Sequence, residues 1–262
     1  MSESESPHLP SNADTCLSFT IEGDWGHFRR VEGNIVKQTY RIPPRTTVAG
    51  LIAGMLGFDR NTYYSLFSDE SSAIAIEPQS RLRTMNMPVN TLSTDPDNMT
   101  SVGHHRSIKL GLVTADDPVN RQQHNYEVLV SPSYRIDVWI EDTEAYQQLR
   151  EFLETGKSIY PPSLGLSEYI ANIEYHGEFE IGVDGSEGVT EVASSVPNAP
   201  NSVIPSPDTK TAFEKSPGFM ESTEHGRQTT GFIEHGFSPT GDTLQVNGIE
   251  TQVVDGRGVV FA

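Results

Sequence analysis

Apolar positions along this chain keep two rhythms. From 15 to 22, TCLSFTIE alternates with a period of two, which predicts a strand. From 46 to 57, Val48, Leu51, Ile52, Met55 and Leu56 recur at helical spacing behind Pro43-Pro44, with Thr46 or Thr47 as the cap. Gly50 and Gly54 lower the helix propensity there, so they are read as points of close packing on a sheet. The pattern predicts a short helix over 61–67 and a strand over 71–78, SSAIAIEP, stopped by Pro78. From 79 to 125 the chain turns polar for longer than an ordinary loop, which predicts an extended insertion, a hairpin or thumb. YEVLVSPSYRIDVWI at 126–140 gives two strand pieces around Ser131-Pro132. An amphipathic helix spans 142–154, with Asp142 or Thr143 as cap, Gly156 as stop, and Ala145, Leu149, Phe152 and Leu153 facing inward. A last strand spans 168–181.

The order is β-α-β, insertion, β-α-β. An α+β chain with that order matches the split βαβ, ferredoxin-like arrangement. It is also the RRM order, whose sheet face commonly binds single-stranded RNA. Around it, residues 1–14 read as a disordered leader, and residues 15–182 as the domain, with 79–125 inserted. Residues 183–220, rich in Gly, Ser and Pro, read as a flexible linker or loop. Residues 221–262 read as a small β module, on the turn signals Asn247-Gly248 and Asp255-Gly256.

Charge changes the picture. The 262 residues hold 18 Lys and Arg against 36 Asp and Glu, a net charge of −18, with only 35% hydrophobic residues. Such a composition without apolar patterning points to disorder. With the patterning of 15–180 it describes a folded protein with an acidic, hydrated surface, suited to a high-salt cytoplasm where repulsion is screened. That charge argues against nucleic acid, because phosphate contacts dominate such affinity. In molar salt that contribution weakens, and shape, stacking and hydrogen bonds decide binding instead.

Other chemistries find little support. The single cysteine, Cys16, excludes an internal disulfide or cysteine-based zinc site and reads as a small buried hydrophobe. The adjacent His104 and His105 point to opposite faces of a strand, and no His spacing suits a metal, so no metal or cofactor is expected. No Gly-x-Ser-x-Gly occurs; GLSEY at 165–169 is a poor mimic. The N-terminus lacks the apolar core of a signal peptide, and there is no run of about 18 apolar residues, so a cytoplasmic location without a membrane partner is expected.

Against the acidic background stands one basic island. Residues 23–57 carry Arg29, Arg30, Lys37, Arg41 and Arg45 against Asp24 and Glu32. Arg29, Arg30 and Lys37 are read as phosphate contacts, and His27 and Phe28 as stacking surfaces; Trp25 suits stacking or core equally. Arg45 opens a helix, where free N–H groups also favour an anion. In the insertion, Arg81, Arg83, Arg106 and Lys109 outnumber Asp95 and Asp97. With His104, His105 and several methionines they suit an RNA-hooking thumb.

Two motifs carry a family resemblance. WGHFR at 25–29, YRIPPRTT at 40–47 and GLIAGMLG at 50–57 form the first; YPPSLGLSEYIANI at 160–173 forms the second. In that order they resemble the fifth Cas family of CRISPR effector complexes, type I-B-like and haloarchaeal, over about 15–180. The resemblance implies an RRM-like fold and a non-catalytic subunit of a type I surveillance (Cascade) complex. Such a subunit binds the five-prime handle of crRNA, contacts backbone and large subunits, and caps the backbone filament in antiviral defence. Some members of the family cleave precursor RNA with a Tyr, a Lys and a His. Tyr40, Lys109 and His104 or His105 would be the counterparts, without a compact Lys-His pair. A scaffold with little RNA affinity of its own is the third alternative.

Overall fold

The computed structural model of the chain describes residues 9–30, 36–92, 121–183, 188–224 and 226–262. The first strand, β1 (Thr15–Glu22), leads through the basic segment into helix α1 (Arg45–Leu56). Strand β2 (Ser72–Pro78) follows, then the arms of a hairpin, β3 (Arg83–Leu92) and β4 (Arg121–Val130). Strand β5 (Ser133–Ile140), helix α2 (Thr143–Thr155) and strand β6 (Asn172–Glu180) complete this part. The central sheet has the order β6-β1-β5-β2, with each neighbouring pair antiparallel.

One sheet face carries Leu17, Phe19, Ile21, Ile74, Ile76, Ile136, Val138 and Ile140, packed against both helices. Helix α1 meets it with Val48, Ile52 and Met55, and α2 with Ala145, Tyr146, Leu149 and Leu153. The expected inward residues Leu51 and Phe152 are only half-buried. Asp142 caps α2 as read, accepting the Ala145 N–H at 2.9 Å, and Gly156 closes it at φ +65°. No threonine caps α1. Pro44 holds the N-cap position without a side-chain bond, and Gly57 closes the helix at φ +83°. Residues 60–71, where a helix over 61–67 was expected, are turns instead, with Asn61 at φ +70°. A helix cannot pass through that backbone.

The other sheet face is also covered. Its residues are small or polar: Cys16, Ser18, Thr20, Ala73 and Ala75, with Asp137 and Trp139. The C-terminal hairpin, Gln252–Val254 and Arg257–Val259, lies across it and contributes Val254, Val259 and Phe261. Arg257 grips Asp137 through one nitrogen at 2.9 and 3.0 Å and also bonds Glu77, while Asp255 pairs with Arg135 at 2.8 Å. The sheet face turned away from the two helices, which the sequence order suggested as an RNA platform, is therefore filled by residues 252–261.

The linker expected over 183–220 is a correction too. Strands Thr190–Val192, Val203–Ile204 and Leu244–Val246 form a small sheet. Val192, Val196, Ala199 and Val203 are buried in a third apolar cluster with Leu244, Val246 and Val260. A longer hairpin, β7 (Ala212–Thr223) and β8 (Gly226–Phe237), crosses the expected boundary at 220 and packs against α1. Residues 221–262 are thus not a separate module.

Candidate nucleic-acid interface

The basic segment is built onto the β3-β4 hairpin. Trp25–Gly26 pairs antiparallel with Leu129–Val130 of β4, and Val36–Lys37 pairs parallel with Asn125–Tyr126. Between them Phe28–Arg29 pairs with Thr39–Tyr40. The Glu127 side chain accepts the Thr39 N–H at 3.2 Å, and its carbonyl accepts from His27 Nδ1 at 2.8 Å. Thr39 Oγ1 accepts the Phe28 N–H at 2.8 Å. The described residues of the segment form a strip along one edge of the hairpin.

The two sequence motifs meet under this strip. The His27 N–H donates to the Leu164 carbonyl at 2.9 Å. Gly165 sits at φ +94°, and a Cβ there would lie 2.0 Å from the His27 carbonyl oxygen. Further along, Ile159 and Tyr160 donate to the carbonyls of Met55 and Gly54, at 2.9 and 3.2 Å. The second motif thus supports the basic strip and satisfies carbonyls at the end of α1, groups that a helix leaves unpaired.

Each expected contact residue has a definite place. Arg29 is exposed; Arg30 is half-exposed with its guanidinium 4.9 Å over the Tyr40 ring; Lys37 is half-buried at the strip's outer strand. Arg81 and Arg83 are exposed at the hairpin's base. His104, His105, Arg106 and Lys109 lie outside the described residues. Three readings are corrected. His27 and Phe28 are buried, at 1% and 2% exposure, so neither offers a stacking surface. Phe28 belongs to the main core, and His27 packs edge-on against Tyr126 with ring centroids 5.0 Å apart. Arg45 is buried at 1% exposure and donates to the carbonyls of Phe67, Ser68, Ser72 and Ala262 and to Ser72 Oγ. Its donors are used inside the protein, so it is no phosphate contact.

The hairpin adds His124, Tyr126 and Tyr169, which the sequence reading missed, to the Arg83 and methionines it had named. Its register sets Arg83, Met85, Met87 and Val89 opposite Val130, Val128, Tyr126 and His124, and alternation puts all eight on one face. Met85 is 44% exposed, and His124 and Tyr126 are half-exposed with their rings 6.4 Å apart, edge to face. Tyr169 of the second motif reaches the same face, its hydroxyl 3.9 Å from Met87 Sδ. For His124 and Tyr126 the sequence signal was the period of two in RQQHNYEVLV, which needs a known register to give it meaning.

Burial holds His27 below the ordinary histidine range, so the ring is neutral, with Nδ1 as the donor to the Glu127 carbonyl. Burial likewise raises the Tyr169 hydroxyl, helped by Glu168 and Tyr126. Among the described residues, Arg29, Arg30, Lys37, Arg81 and Arg83 supply positive charge at this surface. Of the residues named for RNA cleavage, Tyr40 is described: it is buried beneath Arg30. Among the described residues no group of three His, Cys, Asp or Glu side chains comes together to hold a metal, and no helix is long and apolar enough to cross a membrane.

The described residues thus place a cationic strip beside an aromatic and methionine face on a strand-rich α+β body. The CRISPR-associated protein (Cas_Cas5) family matches residues 16–230, and the chain belongs to that family. Among solved structures it is similar to a chain of a CRISPR RNA-guided surveillance complex, at 12% identity and TM-score 0.50, covering 92% of this chain and 91% of that one. It is also similar to a CRISPR protein from Archaeoglobus fulgidus, at 16% identity and TM-score 0.53, covering 94% and 98%. At these identities the likeness is one of fold. No curated protein matches the chain in sequence.

Proposed function

We propose that this protein is a non-catalytic RNA-binding subunit of a type I CRISPR surveillance complex, of subtype I-B in a high-salt cytoplasm. It holds the five-prime handle of crRNA and caps the filament of backbone subunits. Family membership supports the assembly, and the central sheet order β6-β1-β5-β2 supports reading the body as ferredoxin-like. The observation that carries RNA binding is the joining of Arg29, Arg30 and Lys37 to the hairpin face of Arg83, Met87, His124 and Tyr126. Cations take the phosphates; the aromatic and thioether groups take unstacked bases, at about 1–3 kcal/mol per stacked base.

The test uses the tagged full chain expressed with its complex partners in molar KCl. The variant Arg29→Ala/Arg30→Ala/Lys37→Ala should keep its protein level and lose most copurified crRNA. Each lost charge-assisted contact is worth about 1.5–3 kcal/mol before screening. Unchanged crRNA at unchanged protein level refutes the strip as the contact. The purified protein is also incubated with repeat RNA in chelator. Intact RNA is expected; cleavage within the repeat, lost in Tyr40→Phe, would establish the nuclease alternative instead.

A further inference from the structure

The β7-β8 hairpin reaches the cationic strip at one point. Glu214 Oε2 of β7 accepts the Arg41 N–H at 2.7 Å, a contact between residues 173 apart in sequence. Arg41 is held again from the sheet, where its carbonyl accepts from the Tyr134 hydroxyl. Two residues earlier, Thr39 is held by Glu127 of β4. Residues 39–41 are therefore tied to the β3-β4 hairpin, to the central sheet and to the β7-β8 hairpin. The first two ties belong to the elements that form the interface itself. The third comes from a region whose part in the protein the sequence left open.

We propose that Glu214 is a positioning residue: through the Arg41 amide it sets Thr39–Tyr40, and with it the Lys37 segment on one side and the paired Phe28–Arg29 segment on the other, against the RNA. This inference rests on the proposed RNA-binding function. Three features favour it over an incidental contact. Glu214 is half-buried between the hairpin and the strip, so its carboxylate is partly withdrawn from water and leans on the Arg41 amide. It also lies in the field of the strip's cations, where the charges of Arg30 and Arg41 favour its ionised form. Burial raises its pKa while the Arg41 amide and the charges of Arg30 and Arg41 pull the other way, the balance of a carboxylate held by a donor in a partly dry place. A carboxylate beside phosphate-binding arginines is unfavourable to RNA by its charge alone. Its presence there is accounted for by reach, not by sign.

Reach and charge are separable. Glu214→Gln keeps the length and an acceptor oxygen but loses the charge. Glu214→Asp keeps the charge and withdraws the oxygens by one methylene. Affinity for fluorescently labelled crRNA transcribed from the host's repeat is measured in molar KCl with the full chain, beside thermal unfolding and amide exchange. Glu214→Asp and Glu214→Ala should bind about tenfold more weakly. Their Arg41 amide should exchange faster, while Glu214→Gln binds at least as well as the unmodified chain. Should the Ala variant fail to fold, the Asp variant decides. Unweakened binding by Glu214→Asp overturns the positioning role. So does weakening by Glu214→Gln to the same degree, since charge would then be the cause. If Arg29→Ala/Arg30→Ala/Lys37→Ala also binds normally, the RNA-binding reading itself fails. If only that triple variant loses RNA, Glu214 alone is refuted.

Discussion

Gly165 and Gly54 belong to the two motif blocks, yet their surroundings demand opposite outcomes. At Gly165 the backbone sits at φ +94° and a Cβ would fall 2.0 Å from the His27 carbonyl oxygen. Gly165→Ala should therefore destabilise the chain by about 2–3 kcal/mol, from strain and forced separation of the two motifs. At Gly54 a Cβ meets nothing within 4 Å, so the packing role read from sequence does not hold there. Gly54→Ala should stabilise by about 0.5–1 kcal/mol through helix propensity alone. Urea unfolding of both variants checks the pair; equal effects would mean the glycines are interchangeable punctuation. Arg45 teaches the same lesson about charge. Its place at a helix start is visible in sequence, but the carbonyls that enclose it lie at Phe67, Ser68, Ser72 and Ala262. Only the fold brings those together, so a phosphate ligand and an internal cation look alike in one dimension.

Among the elements, those with a sustained period were legible: β1, α1, β2, β5, α2 and β6 stand within a few residues of expectation. The short helix over 61–67 was not, because Tyr63, Leu66 and Phe67 imitate helical spacing across a stretch of turns. Nor were the strands of 190–204, whose two or three residues carry no period; their Gly, Ser and Pro neighbours read as a linker. A cover for the second sheet face was signalled, weakly, by Cys16, Ala73 and Ala75, which are too small and apolar for a solvent face. The cover itself is held by ions as well as apolar contact. Asp137 is fully buried, with Arg257 supplying both bonds to its carboxylate. Arg257→Ala should cost about 3–5 kcal/mol, because it leaves a buried carboxylate unpaired. Asp137→Asn in the same chain should recover part of that loss by removing the charge. Chemical unfolding of the single and double variants measures the coupling, and additive effects would mean the pair is independent. At the interface, the basic strip was legible as charge, but its aromatic face was not, since it exists only through the register of β3 on β4.

For the molecule as a whole, two electrostatic effects oppose each other as pH falls, and salt separates them. The net charge of −18 makes the folded chain repel itself at low ionic strength. Screening falls from a reach of about 10 Å at 0.1 M salt to about 3 Å at 1 M, so the unfolding temperature should rise with KCl. Mild acid relieves the same repulsion by protonating carboxylates. His235 acts the other way. It is fully buried, its Nδ1 lies 3.4 Å from Ser195 Oγ, and burial, with some help from Arg45, lowers its pKa from 6.5 to about 4. The unfolded chain then binds a proton that the folded chain refuses. Its contribution is complete above pH 6.5 and is lost as pH falls towards 4. Complete loss corresponds to about 3 kcal/mol. His27, lowered for the same reason, adds in the same direction. In molar KCl, where repulsion is already screened, stability should therefore fall between pH 7 and 4, and His235→Gln should flatten that slope. At low salt the slope should be shallower, because relief of repulsion offsets histidine protonation. A His235→Gln variant with an unchanged slope in molar KCl would show that the acid sensitivity resides in other groups, with His27 the first to replace.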